Sequence, residues 1–469
     1  RRPPRSKLFP YTTLFRSLYL VIKAAKRTSS MKDYALGSVG FSPVFVVLSL
    51  AAAMTSAATF IINPGLIAVS GISGVLSFGL FFPLASIVSL IVLTKSFRKY
   101  GTSVSAFSLA GWIGKRYQNK AYSMFIAILS VLLVTFIVLI LVALTKVLSN
   151  ALNSNEIFTL GILVVFVFGY MMFGGANSMV YTNAIQAGIM LVVAVILLSS
   201  GFQYFKNGLS GFFTSLAAID PALVKPTNSS SALFRGYFEI IFTQIIVGAA
   251  VVCQPHIITK TLLLKHERDV NKYLLTAVIV QSIFFLVVIA GLYARLTFPD
   301  LTFQGTPLGV DSIIPTYVVK IFSQGWLSIA VGIVVIMGLL SAGLSTLEGL
   351  IQSVSTTITE DIVKPIFGSK ISSDKSYVLI NRGAIAFMAV LSFFIARGQI
   401  LHPNLSVAIL AQNGVYAFFS IAFVPIIFGI FIKKASFRAS FSGSIAALVV
   451  YFMVYYFLPY LVNNQLASF

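Results

Sequence analysis

Eleven apolar runs of about 20 residues each, set apart by polar or Pro/Gly-rich loops, constrain what this chain can fold into more than any other feature. At about 1.5 Å rise per residue, a helix of that length crosses the roughly 30 Å hydrocarbon layer of a bilayer. The runs occupy residues 41–63, 75–93, 121–148, 157–173, 180–205, 237–258, 274–298, 326–357, 377–396, 405–432 and 441–458. They lack the two-residue alternation of barrel strands, and backbone amides in lipid have no water to bond. The expected fold class is therefore an all-α polytopic membrane protein. A composition that is 58% hydrophobic and only 10% charged excludes an ordinary soluble domain. The lone Cys253 allows no disulfide within the chain, and His256, His266 and His402 fall near different span ends. No metal cluster or acid/base pair of an enzyme is expected from them, and no cofactor.

The first residues stand apart. The segment LFPYTTLFRS, Leu8 to Ser17, resembles the conceptual translation of a sequencing adapter, so residues 1–17 are read as an assembly artefact and not as a targeting signal. Residues 18–40 then hold the tail of a truncated first helix and a cytoplasmic loop. Discounting Arg1, Arg2, Arg5, Lys7 and Arg16 lowers the formal charge from +21 to +16. Membrane topology accounts for the rest, because Lys and Arg are retained on the cytoplasmic side and every second loop is basic. With Lys23, Lys26, Arg27 and Lys32 inside, Lys95, Arg98, Lys99, Lys115, Arg116 and Lys120 fall inside too. So do Lys260, Lys265, Arg268 and Lys272, then Lys364, Lys370, Lys375 and Arg382, and finally Lys433, Lys434 and Arg438. Charge spread in this way gives no reason to expect a nucleic-acid partner.

Of the 12 acidic residues only Glu239 and Glu348 fall inside spans. A charge near the bilayer centre costs at least about 2.5–3.5 kcal/mol, so each needs a protein interior, a water path or a partner. Glu239, near an outer span end, reads as an interfacial partner of Arg235. Glu348 is deeper, and it either joins the hydroxyl face formed by Ser345 and Thr346 or turns toward the cytoplasmic mouth.

Spacings of three and four residues put Ala342, Ser345 and Thr346 on one helix face, where two hydroxyls and a carbonyl can converge. Such an uncharged, oxygen-only environment suits sodium, although small residues and hydroxyls also serve close helix packing. The other half of the site is expected in residues 51–65, AAAMTSAATFIINPG. Unwinding ahead of Pro64-Gly65 would aim the carbonyls of Ala52 and Thr55 at a cation. A second break is expected where Gly248-Ala249-Ala250 is followed by Gln254-Pro255-His256. The two breaks begin two five-span halves, 41–205 and 235–432, that start on opposite sides of the membrane. An extracytoplasmic loop, 206–234, joins them, and 433–469 adds a cytoplasmic loop, an extra helix and a tail. Paired interruptions of this kind point to a secondary transporter with its site near the midplane.

At these residues the chain resembles the sodium/solute symporter family. SLAAAMTSAATFIINPG is similar to the family's first core helix, GGANSMVYTNAIQAGIML to its fifth, QPHIITKTLLLKHERDV to the loop after its sixth and SAGLSTLEGLIQSVSTTITEDIV to its eighth. The resemblance implies a leucine-transporter-type fold, with inverted five-helix repeats plus extra helices. It implies a main sodium site of the carbonyls of Ala52, Thr55 and Ala342 with the hydroxyls of Ser345 and Thr346, supported by Asn183 and Glu348. Many relatives carry Asp at the position of Asn183 and some at that of Met54, which leaves the number of coupled sodium ions open. The expected function is sodium-coupled symport of a small organic solute into the cell by alternating access, across a plasma membrane of bacterial inner-membrane type, with a monomer sufficient. Thr59, Asn63, Gln254, Gln412 and Asn413 are candidates for lining the solute pocket, or for ordinary bonds between helices. The alternatives are a proton-coupled carrier using Glu348 and a sensor or scaffold of the same fold without transport.

Overall fold

The computed structural model describes residues 30–37, 43–104, 106–231, 233–260, 269–368, 373–402 and 407–458. Residues 1–17, and residues 18–24 where the tail of a helix is expected, lie outside them. The described chain is a bundle of helices: α1 (Met31–Leu36), α2 (Pro43–Met54), α3 (Asn63–Ser70), α4 (Phe82–Val104), α5 (Leu109–Arg116), α6 (Lys120–Ser130), α7 (Val134–Leu152) and α8 (Glu156–Ser199). They are followed by α9 (Gln244–Val251), α10 (Pro255–Ile258), α11 (Asp269–Leu286), α12 (Ala290–Thr297), α13 (Val310–Ile321), α14 (Trp326–Thr357), α15 (Asp374–Leu401), α16 (Val407–Phe431) and α17 (Phe437–Phe452). Among the described residues nine helices are long and apolar enough to span a bilayer, the bent pair 44–54 and 58–70 makes a tenth, and the shorter apolar helix Phe238–Val251 completes the eleven expected runs. Large apolar side chains such as Val165, Phe166 and Phe394 stand exposed on the outside, where lipid is their solvent.

The first break lies earlier than the Pro-Gly pair suggests. Helix α2 ends at Met54, residues 55–57 leave the helix, and the chain resumes with a 52° bend. Pro64 instead sits in the first turn of α3, preceded by a π-helical stretch, Ala58–Ile62. A proline near a helix start loses no bond that the helix needs, so Pro64 continues the span, which closes at Gly71. The break is made by polar side chains: Ser56 Oγ accepts from the Ala58 amide at 3.1 Å, and the Thr55 hydroxyl donates to Gln281 Oε1 at 2.6 Å. The first offers the backbone an alternative to the helical ladder, and the second ties Thr55 to a distant span. In the sixth core span α9 and α10 are separated by residues 252–254, with Gln254 extended ahead of Pro255 as a pre-proline residue prefers.

The 44 residues of α8 would measure about 66 Å if straight, twice a bilayer. Gly175, at φ 58° and ψ −161°, divides them into the spans Glu156–Ala176 and Ser178–Phe205. A Cβ at Gly175 would stand 2.8 Å from the carbonyl oxygen of Tyr34, whose hydroxyl donates to the Met171 carbonyl at 3.2 Å. The segment expected as an extracytoplasmic loop carries a helix, Gly208–Ile219, and the loop after α12 carries a small hairpin, Thr302–Phe303 with Thr306–Pro307.

Gly175→Val is expected to destabilise the protein by about 1–3 kcal/mol or more, from a side chain at positive φ and its collision with Tyr34. Melting in lipid nanodiscs should show the drop. Gly188→Ala, where an added Cβ meets nothing within 4 Å, should melt at or slightly above the wild-type temperature.

Candidate functional site

Helix α14 crosses α2 at its interruption, and small side chains let the two backbones approach. Ser345 Oγ lies 2.9 Å from the Ala52 carbonyl and 3.1 Å from the Ala342 carbonyl. Thr346 Oγ1 lies 3.1 Å from the Ala53 carbonyl and 3.5 Å from that of Ala342. Ala52, Thr55, Ala342, Ser345 and Thr346 are all shielded from the surface. Four of the five expected residues thus share one cluster of uncharged oxygens. Thr55 belongs to the same break, its amide donating to the Ala52 carbonyl at 3.3 Å, but its hydroxyl is turned to Gln281. The Ala53 carbonyl and Gln281 were not anticipated from sequence. Each hydroxyl here donates to a carbonyl, and rotation about its C–O bond would turn a lone pair to a cation instead.

Behind this cluster lies a second, charged one. Glu348 is buried; its Oε1 accepts from Tyr170 Oη at 2.7 Å and Gln186 Nε2 at 3.1 Å, and its Oε2 from Thr182 Oγ1 at 2.7 Å. It therefore faces neither the cytoplasmic mouth nor water. Lys260, expected in a cytoplasmic loop, is 2% exposed and donates to Ser49 Oγ at 2.7 Å and to the Ser49 carbonyl at 3.0 Å. It sits one helical turn beyond His256 on the tail of α10, and that tail folds back into the bundle. Asn183 lies between the two charges. In one amide orientation its nitrogen reaches the Ser345 carbonyl at 3.3 Å. The other gives up that bond and makes three: its nitrogen donates to Gln186 Oε1 at 3.0 Å and to Glu348 Oε2 at 3.1 Å, and its oxygen accepts from Lys260 Nζ at 3.1 Å. Glu239 behaves as expected, pairing with Arg235 at 3.3 Å near the end of its span.

A cavity of about 120 Å³ opens beside the break. Ala53, Ser56 and Thr346 line it, so it shares walls with the oxygen cluster, and Thr59, Asn63 and Gln254 reach it as expected. Phe78, Phe82, Phe136, Tyr416 and Phe419 give it an apolar and aromatic body. Asn413 is not among its walls, although Ala411 and Val415 on either side of it are; the Asn413 carbonyl accepts from Tyr451 Oη of α17 at 2.8 Å. The side chain of Gln412 lies outside the described residues. His256 also lines the cavity: it lies in α10, 2% exposed, with neither ring nitrogen hydrogen-bonded. It also lines a smaller cavity of about 30 Å³ with Ser108, Lys260 and Gln352, and so stands between the two. Among the described residues no group of three His, Cys, Asp or Glu side chains is placed to hold a metal ion.

Comparison with known proteins agrees with this architecture. A profile of the Sodium:solute symporter family matches residues 34–447. The chain is 26% identical over 431 residues to the sodium/pantothenate symporter of Escherichia coli (strain K12), covering 90% of this chain and 83% of that protein. It is 23% identical over 416 residues to the osmoregulated proline transporter OpuE of Bacillus subtilis (strain 168), covering 86% and 79%. A solved Na+-coupled sialic acid symporter, substrate-bound and outward-open, superposes with a TM-score of 0.70 at 16% identity, over 95% of this chain and 96% of that one. MhsT, solved in complex with L-phenylalanine, superposes with a TM-score of 0.56 at 14% identity, over 89% and 98%. The fold is the leucine-transporter type, as the paired interruptions imply. This multi-pass membrane protein belongs to the sodium:solute symporter family, and its activity is the sodium-coupled transport of a small solute rather than an enzymatic reaction.

Proposed function

We propose that sodium binds between α2 and α14, on the carbonyls of Ala52, Thr55 and Ala342 and the hydroxyls of Ser345 and Thr346, and drives a solute in the adjoining cavity into the cell. The observation that carries this reading is the 2.9 Å approach of Ser345 Oγ to the Ala52 carbonyl, across two helices and at the one place where α2 gives up its ladder. An ion there replaces hydrogen bonds between the helices with shared coordination, which steadies residues 55–57. Ala53, Ser56 and Thr346 form the cavity wall at the same spot, so order imposed by sodium is order the solute need not supply. Each sodium entering down a membrane potential contributes about 2.3 kcal/mol per 100 mV, before its concentration gradient is counted. Basic loops on one side and the bacterial relatives favour a cytoplasmic-membrane location with the solute carried inward, one chain serving as the unit.

The cavity sets the chemistry of the solute. Gln254 Oε1 and both ring nitrogens of His256 are buried without protein partners. A neutral imidazole offers one donor and one acceptor, and an amide oxygen requires a donor. The aromatic walls require an apolar body. A compact organic molecule with a hydrogen-bonding head and a small hydrocarbon frame meets both demands.

Two outcomes test these assignments. Ser345→Ala and Thr346→Ala each remove an oxygen from the ion; at about 1.5–3 kcal/mol per charged hydrogen-bond equivalent, the sodium concentration that half-stabilises the protein should rise roughly 10- to 150-fold. Unchanged sodium-dependent melting in the double variant removes the site. A panel of small amino acids, carboxylates, sugars and vitamins, screened by melting with and without sodium, should yield a solute whose stabilisation requires sodium. Gln254→Ala should then weaken the solute about tenfold while sodium binding stays as in the wild type.

A further inference from the structure

The buried Lys260 and Glu348 are linked through Asn183, and the hydrogen-bonding positions of both are filled. The ammonium has three N–H donors and three acceptors: Ser49 Oγ at 2.7 Å, the Ser49 carbonyl at 3.0 Å and Asn183 Oδ1 at 3.1 Å. The carboxylate has two donors on each oxygen, Tyr170 and Gln186 on one, Thr182 and the Asn183 nitrogen on the other. The three residues at the centre are 0–2% exposed. Asn183 suits the place between them because an amide has one end that accepts and one that donates. A carboxylate there would have no proton for Glu348 and would add a second negative charge, which calls for a further cation.

We infer that the Lys260 ammonium is a resident cation, filling the polar space among α2, α8 and α14 that a second sodium ion would otherwise occupy. The inference rests on the sodium site read above, which adjoins it: the Asn183 side chain lies 3.3 Å from the Ser345 carbonyl, and Glu348 lies two residues beyond Thr346. One mobile sodium therefore binds per molecule, and the second positive charge is tethered to the chain and never released. Lys260 also joins the tail of the sixth core span to the first through Ser49 and to the fifth through Asn183. A cation that is part of the chain thus does there the bridging that a dissociable ion would do.

Radioactive sodium bound at saturation by purified protein in neutral-lipid nanodiscs tests this without a known solute. The wild type is expected to bind one ion per molecule. Lys260→Met leaves Glu348 without its counter-charge and opens space beside it, so this variant should bind one ion more than the wild type. Lys260→Met with Glu348→Gln, which removes both charges, should return to the wild-type number. Two ions on the wild type, or no gain in Lys260→Met, overturns the resident cation. If Lys260→Met alone does not fold, the wild-type count decides: one supports the assignment and two ends it. A wild type that binds none while Lys260→Met binds one sinks the five-oxygen site and leaves the resident cation standing, so the two readings fail separately.

Discussion

Two hydroxyls on α14 answering two carbonyls on α2 is the interaction on which the rest of the structure depends. Interrupting a helix at membrane depth strands backbone acceptors where no water reaches, and each unsatisfied group costs several kcal/mol in hydrocarbon. Ser345 and Thr346 meet that cost for Ala52 and Ala53, so the break can exist only while α14 lies against it. The same requirement selects the small residues of both helices, since a larger side chain would hold the backbones apart. A sodium ion bound at this crossing, as proposed, would compete with bonds that already close it, and its net contribution would be the difference between the two arrangements.

Much of this was legible in the chain, because the signals are local. Twenty-residue apolar runs, three- and four-residue spacing of hydroxyls and the alternation of basic loops follow from helix geometry and lipid, and neither depends on distant contacts. Pro64 misled because a proline reads as a break, yet in the first turn of a helix it breaks nothing; the actual interruption at 55–57 has no Gly or Pro and is made by Ser56 and by Gln281 from a distant span. Lys260 misled for a related reason. Basic residues after a span usually lie in water, and only the folding back of α10 brings this one to Ser49 and Asn183. The period of four between His256 and Lys260 was the signal available, since it puts both on one face of the broken span's tail.

On the proposed sites, coupling between ion and solute would follow from shared walls rather than from a relay. Thr346 faces both the oxygen cluster and the cavity, and Ser56 both shapes the break and lines the cavity. His256 lines both the central cavity and the small one beyond, and so forms part of the partition between them. The charged trio behind them sits where it ties the tail of α10 to α2 and α8.

Cys253 gives the molecule a use beyond its transport. It is the sole thiol of the sequence, wholly buried, in the non-helical stretch between α9 and α10. Labelling kinetics on the unaltered chain would therefore time the opening of that stretch, with every other side chain silent to the reagent.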